Sequence, residues 1–477
     1  MTAAKSGGGA PPLCVALNGA LIHTDLGHES LFAALSARPW LILLMPFWLL
    51  AGPAAFRVRI AALTTLDAAH LPYDERVLAH LAEEKAKGRR LVLVAAAPSD
   101  GADAVAAHLG LFDEVVTARG VTRAAELKQV YARYAYLGGG ARGDIGAWTG
   151  AETVGVANAR PGLRRKLAGR PVEVDIPPRG GLARAAVRAI RPYQWAKNLL
   201  VFVPILTSNH LSNLTAWMMA TLAFAGFSAA ASGIYILNDL MDLAADRRHP
   251  RKRNRPFASG RVPLALGVAM SPVLLALGAA AGFGAHVLPA LGLYALVSLS
   301  YTIKLKEFQL VDVFCLAFLY VIRLFAGGLA TGYYLSLWLL GFSTFLFLGL
   351  AFVKRAAELK SVDAPHVRLD RRGYSTDDLP ILTLMGVCAS FTACILLTLF
   401  VQSPEVAQRY ASPMVLWALA PLILFWQLRL WLSTARGYMH DDPIVYSARD
   451  WVSWTASAVA VAIMVLANHP NLISGVS

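Results

Sequence analysis

The sequence predicts two parts of different class: an N-terminal α/β domain over residues 1–170, a linker at 171–184, and an all-α polytopic membrane domain over 185–477. Three observations carry this. Short apolar runs separated by amphipathic stretches fill the first part. Apolar segments of membrane-spanning length fill the last. Between them, PGLRRKLAGRPVEVDIPPRGG mixes basic residues with Pro177, Pro178, Gly180 and Gly181, as a linker does.

Composition supports the division. The 477 residues are 56% hydrophobic and only 16% charged, with a mean hydropathy of +0.51, which excludes an ordinary soluble protein. A formal charge of +14 raises nucleic acid as a partner. The basic residues sit beside apolar spans, however, so lipid surfaces and positively charged loops explain them and nucleic acid is discounted. Cys14, Cys315, Cys388 and Cys394 show no metal-ligand spacing and imply no disulfide framework. The N-terminus lacks the apolar core and cleavage site of a signal peptide, so the first domain is expected to face the cytoplasm.

LCVAL, RLVLVAAA and VYARYAYLG read as strands and DERVLAHLAEEKAKG as an amphipathic helix. WLILLMPFWLLAGPAAF, from Trp40 to Phe56, is too short and too interrupted by Pro46 and Pro53 to span. It is either a buried cap helix or an interfacial membrane foot. Beyond the linker, spans are expected at roughly 198–209, 216–237, 263–284, 286–303, 310–330, 334–353, 380–402, 411–430 and 453–468, about nine transmembrane helices with a short first one. The loops RRHPRKRNR, KLKE and KRAAELKSVDAPHVRLDRR follow alternate spans. The positive-inside rule therefore places them, with the N-terminal domain, on the cytoplasmic face of a bacterial inner membrane.

NDLMDLAADRRHPRKRNRP, from Asn238 to Pro256, is the most informative stretch. Asp239, Asp242 and Asp246 stand three and four residues apart, so they share one face of a helix leaving the membrane. Stacked carboxylates at the negative end of a helix dipole repel unless a cation compensates them. Magnesium holding a substrate diphosphate supplies that cation; alternatively, Arg247, Arg248, Lys252, Arg253 and Arg255 neutralise the acids in a surface network.

Other polar groups sit where hydrocarbon penalises them. Arg191, Gln194, Lys197 and Asn198 lie at the mouth of the first span, as binding groups or as an interfacial anchor. Tyr301, Lys304, Lys306 and Asp312 straddle a helix junction. Arg323, deep in an apolar run, needs a partner such as Asp312 or a phosphate. Lys354, Arg355 and Glu358 end the sixth span, where the positive-inside rule alone also explains the cations. Arg449 and Asp450 precede the last span as an ion pair or as binding groups. Together these groups suggest a cavity with a carboxylate side for metal and a cationic side for phosphate.

RPYQWAKNLLVF, IYILNDLMDLAADRRHPRKRNRPFASGRVP, YTIKLK, LYVIRLFAGGLATG, KRAAEL and SARD, in that order, resemble the UbiA superfamily of membrane prenyltransferases, and most closely its polyprenyl-phosphate (decaprenyl-type) phosphoribosyltransferase branch. The resemblance covers nearly all of residues 185–460. It implies a UbiA-like fold in which Asn238, Asp239, Asp242 and Asp246 form the magnesium and diphosphate site. It also implies that Lys197, Arg248, Lys252, Arg255, Lys306, Lys354 and Arg355 handle phosphates, with Arg191, Gln194, Asn198, Tyr301, Arg323 and Glu358 as further substrate contacts. Superfamily members acting on aromatic acceptors carry a second aspartate-rich motif after the sixth helix, where this chain has KRAAELKS. Cations there suit a second phosphate-bearing substrate. The expected reaction is magnesium-dependent transfer of phosphoribose from phosphoribosyl pyrophosphate to a polyprenyl phosphate, feeding arabinose-containing envelope glycans. The alternatives are prenyl transfer from an isoprenoid diphosphate to an aromatic or other acceptor, and a transporter or lipid-binding scaffold without chemistry. Membrane lipids are the expected surroundings, and a homo-oligomer is left open.

PLCVALNGALIHTDLGHESL resembles the first motif of the haloacid-dehalogenase-like phosphatases, Asp-x-Asp-Gly-Thr on a Rossmann-type sheet, with Ala16, Asn18 and Ala20 in the decisive places. Neither alanine nor asparagine forms an aspartyl-phosphate. Ala95 stands at the Ser/Thr position and Gly139 where a magnesium-binding aspartate is expected. Lys128 and Asp144 are remnants of the later motifs. The resemblance implies a phosphatase-like shell without activity, with a scaffolding, regulatory or partner-binding role.

Overall fold

The computed structural model describes residues 10–468, apart from 97–99, 119–121, 160, 165–166, 168–170, 209, 334, 363–365, 369–371 and 440–441. The chain divides into two compact units, Met1–Ile190 with Tyr235–Ser271, and Arg191–Ile234 with Pro272–Ser477.

The first unit is built on six strands: β1 (Leu13–Ala16), β2 (Leu91–Ala95), β3 (Glu114–Thr117), β4 (Ala135–Gly138), β5 (Val154–Ala157) and β6 (Val172–Ile176). They form one parallel sheet in the order β3-β2-β1-β4-β5-β6. The central strands are apolar throughout because helices cover both faces, and β1, β2, β4 and β5 are buried at every position. Three of the six were not legible as strands. β3 and β5 are four residues long. β6 falls inside the stretch read as a linker: Val172–Ile176 adds an edge strand beside β5, and its alternation VEVDI leaves four of five positions outside the buried class.

Chain order reverses between β1 and β4, the place where ligands enter such sheets. Here that place is filled by backbone. A Cβ added to Gly139 would collide with the carbonyl of Gly19 and lie 2.7 Å from the Ala20 amide nitrogen. The Asn18 side chain donates to Asp25 (2.8 Å) and accepts from the Leu26 amide (3.3 Å), so it serves the start of the Leu26–Ala37 helix. Asp144 is buried and accepts from the amides of Gly139, Gly140 and Ala141, from Tyr136 (2.7 Å) and from Arg123 (2.5 Å).

Trp40–Phe56 is no buried cap. It forms a 3-10 turn, Pro39–Leu43, and a short helix, Met45–Leu50, then reverses at Gly52 (φ 97°), a conformation that favours glycine, into Pro53–Ala61. Leu41 and Ile60 are buried pegs, while most of its other large side chains point outward.

Among the described residues, seven helices are long and apolar enough to cross a membrane: Leu214–Met241, Leu264–Gly284, Val311–Thr331, Leu337–Lys360, Thr376–Val401, Pro413–Ala435 and Trp451–Asn468. Leu288–Ile303 is apolar but has only 16 residues. The expected first span is instead an 11-residue 3-10 segment, Pro192–Phe202, with one further turn, Val203–Leu206. Pro192 and Pro204 explain this, since neither contributes an amide to a continuing helix. Among the described residues, seven of the expected spans are thus helices of spanning length, and the remaining two are shorter elements.

Overpacking a filled site costs about 1–3 kcal/mol. Gly139→Ala is accordingly expected to speed hydrogen exchange of the β1 and β4 amides; protection equal to that of the unaltered chain would show that Gly19 moves aside freely.

Candidate functional site

In the first unit the acidic stretch stays helical as expected. The Asp242 amide donates to the Asn238 carbonyl (2.9 Å) and the Asp246 amide to the Asp242 carbonyl (2.8 Å), so helical bonding runs through the junction between Leu214–Met241 and Leu243–Arg248. Asp239 and Asp246 are buried and Asp242 is half-buried. One guanidinium joins the two buried acids: Nη1 of Arg255 lies 3.1 Å from Asp239 and 2.6 Å from Asp246. Burial pushes the Asp246 carboxyl up to about 6, with Arg255 opposing the rise and Asp239 adding to it.

Arg247 and Arg248 take acidic partners outside this stretch. Arg247 makes a two-pronged pair with Glu29, both contacts at 2.7 Å and both side chains buried, and donates from Nε to the Ala258 carbonyl (3.0 Å). Thr24 adds a third bond to Glu29 (2.5 Å). Arg248 reaches Asp67 (3.0 Å), and Gly260 packs against His23 and Pro72. Lys252 lies exposed in the 3-10 turn Lys252–Asn254. The loop that closes the acidic site is thus gripped by the α/β domain.

Magnesium fits the donor set. Asp239 and Asp246 present hard carboxylate oxygens converging on one cationic nitrogen, and one or two carboxylates with substrate phosphates and water are the usual ligands of that ion. Among the described residues no three His, Cys, Asp or Glu side chains converge, so two of the three expected ligands come together and Asp242 stands beside them.

The second unit holds a cluster of opposite sign. Lys197 on Pro192–Phe202 (2.6 Å) and Lys354 on Leu337–Lys360 (3.3 Å) meet at one carboxylate oxygen of Asp442. Tyr320 donates to the other oxygen (3.2 Å), and Lys197 stands over the Tyr320 ring at 5.6 Å. Against the cost of burial, the two lysines hold the Asp442 carboxyl well below the usual carboxylate range. Burial pushes the Lys197 ammonium down to about 8, against the pull of Asp442. A buried ammonium, Lys197, and a half-buried one, Lys354, facing one carboxylate leave a net positive charge, the condition for receiving another anion.

Arg323 belongs beside this cluster, but its partner is not Asp312. Its Nε donates to Asn198 (2.6 Å), its Nη2 to the Tyr294 hydroxyl (3.2 Å), and its guanidinium carbon lies 4.6 Å above the Tyr294 ring. Asn198 in turn donates to Ser228 (3.0 Å). Asp312 instead pairs with the fully buried Arg355 (2.7 Å), which also contacts Glu358. Tyr301 donates to Asp312 (2.8 Å), and Arg372 donates to Tyr301 (2.9 Å). Arg355, Glu358 and Tyr301 therefore form a mutually neutralised network rather than an open anion site. Asp450 pairs with Arg429 (2.5 Å) and accepts from the Ser453 amide (2.8 Å), so that acid is structural. Arg191 (φ 53°) opens the Pro192–Phe202 segment and its carbonyl accepts from the Gln194 amide; Lys306 is buried in the Leu305–Glu307 turn.

Asp442 and Tyr320 were missed. The signal for Asp442 was its place before Pro443, where it caps Pro443–Ser447 by accepting from the Ile444 amide (3.2 Å). Nothing local marks its pairing with Lys197, 245 residues away.

Known proteins place the chain. The profile of the UbiA prenyltransferase family matches residues 200–441. An uncharacterised protein of Sinorhizobium fredii, y4nM, is 30% identical over 470 residues, 96% of this chain and 91% of that one. Nodulation protein NoeC of Azorhizobium caulinodans is 39% identical over 267 residues, 55% of this chain and 86% of its own. Decaprenyl-phosphate phosphoribosyltransferase of Corynebacterium glutamicum is 35% identical over 189 residues, 38% of this chain and 57% of that enzyme.

Removing one member of a buried ion pair strands the other at a cost of about 3–5 kcal/mol. Glu29→Ala is therefore expected to abolish hydrogen-exchange protection of Leu243–Arg248 while leaving β1 and β4 protected; unchanged protection there would show that Arg247 does not depend on Glu29.

Proposed function

This chain belongs to the UbiA prenyltransferase family, and we propose that it transfers phosphoribose from phosphoribosyl pyrophosphate to a polyprenyl phosphate in the membrane, releasing pyrophosphate. The observation that carries this reading is the Lys197–Lys354–Asp442 cluster. It offers cations in addition to Arg255 and the carboxylates assigned to a metal-held diphosphate, which suits a second phosphate-bearing substrate better than an uncharged acceptor. The likeness to enzymes named decaprenyl-phosphate phosphoribosyltransferase supports the same choice over part of the chain.

In this proposal Asp239 and Asp246 hold magnesium, with Asp242 as a further ligand. When bound, the ion neutralises charge on the departing pyrophosphate. Arg255, already bridging the two acids, exchanges one of them for a diphosphate oxygen. Lys197 and Lys354 bind and orient the lipid phosphate, and Arg323, fixed by Asn198 and Tyr294, adds positive potential. An oxygen of the lipid phosphate forms the bond to the anomeric carbon as the bond to pyrophosphate breaks. No general base is required, because a phosphate monoester is anionic near neutral pH. The α/β unit is read as a phosphatase-like shell that has lost its chemistry; Ala16 and Asn18 at the end of β1, and the closure of Gly139 on Gly19, support that reading.

The test uses the purified full chain in lipid nanodiscs with magnesium, ribose-labelled phosphoribosyl pyrophosphate and polyprenyl phosphate. Label is expected in the organic phase. Label that stays aqueous, while an isoprenoid diphosphate is consumed with an aromatic acceptor, would reject the proposal in favour of prenyl transfer. Asp239→Asn and Asp246→Asn are each expected to lower turnover by about 10²-fold or more, and Lys354→Met to raise the KM for the lipid phosphate; unaltered kinetics in these variants would remove the assigned roles.

A further inference from the structure

Between Glu29 and Asp67 the chain carries no acidic residue, while Arg38, Arg57 and Arg59 are present. The structure folds the middle of this stretch, Pro39 to Ala61, into a helical hairpin with an inner and an outer side. Leu41 and Ile60 are buried and fix it to the α/β domain. The outer side is apolar: Trp40 is 57% exposed, Leu43 71%, Phe47 67% and Leu50 86%, with Ile42, Leu49 and Val58 beside them. Arg38 and Arg59 are exposed at its two ends. A patch of this kind on a packed element marks an interaction surface.

Three features identify the occupant as a bilayer. Large apolar side chains with exposed tryptophan, flanked by arginine and free of acids, complement the interface of an anionic membrane. Among the described residues are seven helices fit to span, so a bilayer accompanies the fold. Finally, the same compact unit contains Tyr235–Met241 and Leu264–Ser271, the ends of two such helices, so the unit that carries the hairpin also carries chain that enters the membrane. Arg247 lies six residues beyond Met241 and holds Glu29, and Glu29 lies eight residues before the end of the Leu26–Ala37 helix. At about 1.5 Å per helical residue, with the two paired side chains and the step from Ala37 to Pro39 added, the hairpin starts within roughly 40 Å of the point where the chain leaves the spanning helix.

We propose that Pro39–Ala61 is a lipid foot, which inserts Leu43, Phe47 and Leu50 into the headgroup boundary of an anionic membrane and seats the α/β domain on its surface. The proposal is independent of the reaction assigned above.

The test uses the full-length chain with Cys14, Cys315, Cys388 and Cys394 replaced by alanine, reconstituted in vesicles of phosphatidylcholine and anionic phosphatidylglycerol. Nitroxide labels are placed singly at Phe47→Cys and Leu50→Cys, with Lys87→Cys as an exposed reference on the same domain and Leu277→Cys as a lipid-facing one. Collision rates with oxygen and with a water-soluble nickel chelate are read by electron spin resonance. Expected at both foot positions is an oxygen-favoured label whose nickel accessibility falls about threefold or more below that of Lys87→Cys, as for a group seated in the headgroup boundary. Nickel accessibility equal to that of Lys87→Cys would overturn the proposal. So would protection accompanied by spin–spin broadening that disappears on dilution with unlabelled chain, since a second copy would then be the occupant.

Discussion

A guanidinium and a carboxylate withdrawn from water together hold the acidic loop to the α/β domain. Neither Glu29 nor Arg247 tolerates burial alone, but the two-pronged pair, with the third bond from Thr24, satisfies both. Arg247 also donates to Ala258, so a single side chain anchors the helix bearing Asp246 and the returning loop that follows Arg255. The geometry at Asp239 follows from this: Arg255 meets Asp239 and Asp246 because the loop that carries it is closed at both ends. The sheet-bearing domain is therefore a structural part of the acidic site, not a passenger beside it.

Charge is distributed by purpose rather than cancelled everywhere. The acidic cluster has two buried carboxylates and one arginine, and the lysine cluster has two ammonium groups and one carboxylate. Each keeps an excess of one sign, which burial makes costly and a ligand of opposite sign relieves. The network of Arg355, Arg372, Asp312, Glu358 and Tyr301 is different, since its charges balance within hydrogen-bonding distance. Such a network fixes helices in place and has little left to offer a substrate.

In the α/β domain the switch point of the sheet is closed by backbone. The order β3-β2-β1-β4-β5-β6 still opens a switch point between β1 and β4. There, Gly139 lies against the backbone of Gly19, and Asp144 spends its oxygens on three successive amides, a tyrosine and an arginine. Residues that elsewhere would face a ligand here serve packing, and the outward surfaces, toward the acidic loop and along the apolar hairpin, carry the domain's connections.

What the sequence determined by itself was whatever depends on neighbours along the chain. The apolar runs announced the spanning helices, and offsets of three and four announced the shared face of Asp239, Asp242 and Asp246. The short apolar runs LCVAL and RLVLVAAA announced two central strands of the sheet. Local signals failed where a strand lacks a run of large apolar residues, as in β3 (EVVT) and β5 (VGVA), or where proline turned an apolar run into a 3-10 segment, as at Pro192 and Pro204. Tertiary structure alone decided the partners. Arg323 went to Asn198 and Tyr294, Asp312 to Arg355, Arg247 to Glu29, and Lys197 to an aspartate 245 residues away. The cause is physical: periodicity is written in the spacing of residues, whereas the partner of a buried charge is set by which groups lose their water together when distant segments pack.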